Sequence, residues 1–308
     1  MPLQHLGFVD LPPHKGAGGF DHADVHEASG RVYVAHTAND AIDVIDIVAQ
    51  KYVGPIDGFS AVAGALVTEA PDFVFTSNRG ANTISIFTPA DARTVAHVGV
   101  GIRPNGLAYD PGRGRLLAAH VGDPAIAGSH TVSIVDVHAR KRIADHPVAG
   151  RTRWTVYDPV IDGFHVNVMD PAQIAVVGAA DRTSITRIVT IPHAGPHGLD
   201  IDVAGRRLFC ACDAGVLVEV DADSGQIVNA QTIGGVPDVV FFNAALRRLY
   251  VAIGDPGVIE VFDTAPLRRH ETVATELGAH TLSFDATRNG VCAFLPATHR
   301  AAVYTDHA

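Results

Sequence analysis

Short stretches in which apolar and polar residues alternate recur along the whole chain. Each is followed by a tight turn and a second such stretch. Pro196-His197-Gly198-Leu199-Asp200-Ile201-Asp202, running through a turn into Arg207-Leu208-Phe209-Cys210-Ala211-Cys212, is the clearest copy. Alternation with period two predicts strands with one face packed. Aligned on the second strand, the copies begin at Tyr33, Phe75, Leu117, Phe164, Phe209, Tyr250 and Cys292, separated by 42, 42, 47, 45, 41 and 42 residues. So regular a period marks a repeat architecture.

Each unit continues alike. A third alternating strand follows, as in Ala41-Ile42-Asp43-Val44-Ile45-Asp46 or Thr131-Val132-Ser133-Ile134-Val135-Asp136. A more polar fourth strand comes next, as in Gln226-Ile227-Val228-Asn229-Ala230. Four antiparallel strands in each of seven units predict an all-β, seven-bladed β-propeller, with residues 1–308 forming a single domain. The seventh unit reaches a third strand, Ala301-Ala302-Val303-Tyr304, and the chain then ends. An unpartnered fourth-strand pattern, Leu6-Gly7-Phe8-Val9-Asp10-Leu11, precedes the first unit. The N-terminal strand, about residues 5–11, is therefore expected to complete the last blade and cover its open edge. Asp110, Asp202 and Asp285 share one turn position, where a carboxylate caps backbone amides.

Tyr33-Val34-Ala35, Val132-Ser133-Ile134-Val135-Asp136 and Gly99-Val100-Gly101-Ile102-Arg103-Pro104-Asn105-Gly106-Leu107-Ala108 resemble the repeat of the YVTN family of β-propellers, over essentially all seven units. That resemblance implies the fold. It leaves function open, because the family and the similar lactonase-type propellers include enzymes, binding proteins and surface proteins. The family repeat commonly ends its second strand with Asn, where His36 and His120 stand here.

Composition narrows the picture. Thirty Gly and 18 Pro suit many short strands joined by turns. A formal charge of -10 without any run of Lys or Arg argues against nucleic-acid or membrane partners. The start, Met1-Pro2-Leu3-Gln4-His5, lacks the features of a signal peptide, and no apolar stretch is long enough for a membrane span. The expectation is a cytoplasmic protein, monomeric, with Cys210, Cys212 and Cys292 as buried strand residues.

The candidate chemistry follows from the repeat. In a propeller, the loop entering each first strand and the loop leaving each second strand lie on one face, so seven blades bring those positions to one funnel. The inner positions are Asp21, Ala63, Asn105, Arg153, His197, Asp238 and His280. Register leaves His22 and Asp24 open in the first unit, and Thr152 and Trp154 in the fourth. The outer positions are His36, Asn78, His120, Asn167, Cys212, Ile253 and Leu295. So many polar groups about one axis need mutual pairing or a ligand to offset their desolvation.

One arrangement is a divalent metal ion, zinc, manganese or iron, held by some of His197, His280, Asp238, Asp21 and His22. Arg153 would then orient an anionic substrate group while His36 or His120 moves protons. Asn105, Asn78, Asn167 and Trp154 would line the substrate site. The corresponding function is a metal-dependent hydrolase, lactonase- or esterase-like by analogy with the similar propellers, or a lyase, acting on a small polar molecule. The alternative is a non-catalytic propeller that binds a small ligand or a protein partner on its face.

Overall fold

A computed structural model describes residues 3–180 and 184–307. It is a seven-bladed β-propeller of four-stranded antiparallel sheets, and one turn of 3-10 helix, Thr37–Asn39, is the only helical element among those residues. No helix there is long and apolar enough to cross a membrane. Blade one consists of Ala23–His26, Arg31–His36, Ala41–Asp46 and Lys51–Asp57. Blades two to six follow over residues 62–99, 104–147, 152–190, 196–232 and 236–274. In blade five, Pro196–Asp202 and Arg207–Cys212 are the first two strands, as their alternation predicts.

Blade seven takes three strands from the C-terminal end, Leu282–Asp285, Gly290–Leu295 and Arg300–Thr305. Its fourth is Gln4–Asp10, paired antiparallel from Gln4↔Thr305 to Asp10↔Arg300. The expected closure is present. Met1 and Pro2 lie outside the described residues.

The core lies between blades rather than within them. One cluster joins Ile174 and Val189 of blade four to Leu199, Leu208, Cys210 and Val218 of blade five. Another joins Phe209 and Leu217 of blade five to Leu249, Val251 and Phe262 of blade six. Each sheet thus buries both faces against neighbours, and its middle strands are almost wholly buried. The turn aspartates serve as expected: Asp202 accepts from Gly205 N at 2.8 Å, Asp110 from Gly112 N at 2.8 Å and Asp285 from Thr287 N at 3.0 Å. All three cysteines are free and buried.

One device positions the funnel residues. In blades two to six the ladder between the first two strands is interrupted at the inner position. The breaks fall between Val62 and Gly64, Pro104 and Leu107, Thr152 and Thr155, Pro196 and Gly198, and Pro237 and Val240. Ala63, Asn105, Arg153, His197 and Asp238 therefore sit in bulges, which re-aim a side chain out of the regular pleat. In three blades a glycine follows. A Cβ on Gly64, Gly106 or Gly198 would stand 2.5 Å from the carbonyl oxygen of Asn105, Arg153 or Asp238 in the next blade. These glycines let adjacent inner strands approach closely at the neck of the funnel.

Candidate functional site

The inner positions do converge at one mouth of the channel. His197, in its bulge between Pro196 and Gly198, lies at the centre of the network. Its Nδ1 is 2.7 Å from Asp213 Oδ1, and its Nε2 is 3.0 Å from Asp238 Oδ1. Arg153 Nη1 is also 3.0 Å from Nε2, and its Nη2 is 3.6 Å from Asp213 Oδ2. His280 Nε2 stands 3.7 Å from Asp238 Oδ2 while its Nδ1 meets Gly278 O at 2.7 Å. Across the mouth, Asp21 Oδ2 takes Arg79 Nη1 at 3.0 Å, Asp21 Oδ1 lies 3.3 Å from His22 Nε2, and Arg79 also bonds Asn105 Oδ1.

Burial and charge compete at these groups. Burial disfavours a charged His197, yet Asp238 and Asp213 outweigh it and raise its pKa to about 9. His197 is thus an imidazolium at neutral pH, donating from both nitrogens. Burial likewise works against an ionised Asp238, but His197, His280 and His22 hold its carboxyl below the usual range. His22 goes the other way: burial lowers its pKa despite Asp21 and Asp238, so it is neutral. At Arg151, desolvation and the charges of Arg153, Arg79 and Arg103 pull the pKa down, against Asp213. Arg79 and Arg153 thus meet the carboxylates of Asp21 and Asp213 beside the His197 imidazolium, and Arg151 lies close enough to feel Arg153, Arg79, Arg103 and Asp213.

The residues expected to hold a metal ion do not form a ligand shell. Both His197 nitrogens are engaged by carboxylates, Nε2 of His22 faces Asp21, and the Arg153 guanidinium occupies the space beside His197 and Asp213. Among the described residues no three or more His, Cys, Asp or Glu side chains are grouped to hold a metal. A cationic guanidinium pressed against the central imidazole does not fit a divalent ion.

The outer positions differ from expectation. His36 is fully buried, with Nδ1 2.7 Å from Asp43 Oδ2 and Nε2 2.8 Å from His14 Nδ1. His14 packs edge-on against it. His120 is buried against Thr131 Oγ1 at 2.7 Å, and burial pushes its pKa down to about 4. Asn78 bonds Thr83 and Ser85 within its own blade, and Asn167 donates to the carbonyls of His197 and Gly198. None of the four side chains joins the ion-pair network of the mouth. The reason is period two. The last residue of the second strand turns its side chain along the sheet, and the residue beyond the strand reaches the funnel. Arg79 follows Asn78 and Asp213 follows Cys212, so these two site residues missed from sequence lie one position past the outer positions, whereas Arg151, also missed, directly precedes the first strand of blade four. Asn105 does take part, through Arg79. Trp154 shares the blade-four bulge with Arg153 and packs on His22, ring centroids 4.2 Å apart, below the ionic layer.

No protein-family model matches the chain, and no curated protein matches it in sequence. Solved structures do. Hydrazine synthase of Kuenenia stuttgartiensis is similar with a TM-score of 0.81 at 12% identity, over 96% of either chain. A chain of the mitotic checkpoint complex is similar with a TM-score of 0.83 at 11% identity, over 99% of this chain and 92% of that one. At such identities the likeness establishes the propeller fold and nothing finer.

Proposed function

We propose that the funnel mouth is a receptor for a small organic anion. The observation that carries this is the contact of Arg153 with His197. With His197 protonated, Nη1 and Nε2 are both donors, so their 3.0 Å approach is a like-charge contact, not a hydrogen bond. Arg153 Nε and Arg79 Nε are moreover buried without a partner. An anionic group beside Arg153, Arg79 and Arg151 would relieve that repulsion and gain charge-assisted bonds. Binding is favoured over catalysis because the Asp213–His197–Asp238 bridge leaves His197 no lone pair with which to accept a proton.

A catalytic reading retains one specific support. Gly278 O accepts from His280 Nδ1, which leaves Nε2 turned toward the mouth on its most exposed imidazole. His280 is the group placed to move a proton in hydrolysis of a lactone or in a lyase reaction.

Titration calorimetry with citrate and inorganic phosphate tests the anion reading. Saturable binding is expected, weakened by about 10- to 100-fold in Arg153→Met. Heat equal for wild type and variant, or none at all, would overturn it. The His280→Gln variant, assayed on a panel of lactones, separates the two readings: lost turnover with retained citrate binding establishes catalysis by His280.

A further inference from the structure

Beneath the ionic mouth the channel holds a second compartment of different chemistry. A cavity of about 500 Å3 is lined by the inner strands of six blades. It reaches the turns that hold Glu69, Ala70 and Pro111, on the face opposite the mouth. Its walls carry Trp154, Phe241, Tyr109 and Tyr157 among aliphatic side chains. The charged residues in the lining are Asp24, Asp200 and Glu69. No Lys or Arg lines it, and its one histidine is the neutral His22.

Asp24 and Asp200 occupy the same place in the repeat, three residues after Asp21 and His197. Blades one and five stand nearly opposite each other in a ring of seven. Each carboxylate is fixed in the wall by two backbone amides. Asp24 takes Val25 N at 2.8 Å and Val67 N at 2.7 Å; Asp200 takes Ile201 N at 2.8 Å and Phe242 N at 2.6 Å. These bonds tie each blade to the next. They leave both carboxylates without a basic partner among the described residues, and one lone pair per oxygen free. Burial without a counter-charge pushes both carboxyls up to about 7.

We propose that this compartment binds an organic ammonium ion, entering from the face opposite the anionic-ligand mouth. The carboxylates supply the charge that a cation needs to leave water, and the aromatic rings supply faces that attract a cation with apolar substituents. A carboxylate or phosphate would meet only like charge here, and a neutral apolar guest would leave Asp24 and Asp200 unpaired.

Trp154 is the only tryptophan and stands in the wall, so its emission reports occupancy. Wild-type protein is titrated with choline and, in parallel, with dimethylbutanol, its neutral carbon isostere. Choline is expected to change Trp154 emission saturably and to bind at least about tenfold more tightly than the alcohol. Asp200→Asn, which keeps an acceptor for Phe242 N, is expected to remove most of that preference. Should that variant not fold, Glu69→Gln at the rim is expected to weaken choline without weakening the alcohol. Equal affinity of the two probes in wild type, or an unchanged emission with both, overturns the proposal.

Discussion

At the residue scale, His197 links the two charges that define the mouth. Alone, a histidine between proline and glycine says little. Held between Asp213 and Asp238 it becomes a fixed cation. Its pKa rises from 6.5 to about 9 on folding, so its contribution to stability is complete below about pH 6.5 and is lost as pH rises through about 9. The contribution is on the order of 3 kcal/mol. Denaturant titrations of wild type and His197→Gln are therefore expected to differ most in mildly acidic buffer and to converge above about pH 9. A gap that stays constant with pH would mean that the imidazole is not charged in the fold. His197, Arg153, Asp238 and His280 were legible in the sequence because they share one register. Asp213 and Arg79 were not, because the direction of a side chain at a strand end depends on where the pleat stops.

At the element scale, the inner strands owe their close spacing to glycine. Gly198 is the sharpest case: a methyl group there would meet Asp238 O at 2.5 Å and Val240 Cγ2 at 2.7 Å. Gly198→Ala is expected to cost about 1–3 kcal/mol in urea denaturation and to weaken citrate binding by displacing Asp238. Gly99, where a Cβ would meet nothing within 4 Å, gives the control, and Gly99→Ala is expected to leave stability nearly unchanged. Equal effects of the two substitutions would refute the close-approach role. Alternation along the chain made the strands legible. The bulges were not, since nothing in Pro196-His197-Gly198 states that its peptide leaves the ladder. That departure is imposed by the neighbouring blade.

At the scale of the whole molecule, closure is the largest single constraint. Gln4–Asp10 pairs with Arg300–Thr305, Leu11 N bonds His299 O at 2.8 Å, and Leu3 and Val9 are buried. Deleting residues through Asp10 is expected to remove about 3–6 kcal/mol from those two side chains alone and to expose the edge of Arg300–Thr305. Thermal unfolding is expected to shift to markedly lower temperature, and light scattering to show association that grows with concentration. An unchanged melting temperature would mean that the ring does not depend on this clasp. The sequence by itself determined the ring, its seven blades, its closing strand and the inner positions that gather at one mouth. It could do so because strand alternation and a repeat period are properties of the chain read locally. Only the tertiary structure decided which charges meet. Asp21 finds Arg79, and Arg153 and Asp238 meet at His197, across blade boundaries. Bulge geometry and the turn of each strand end set those pairings, and they are why the central imidazole is a cation held between carboxylates.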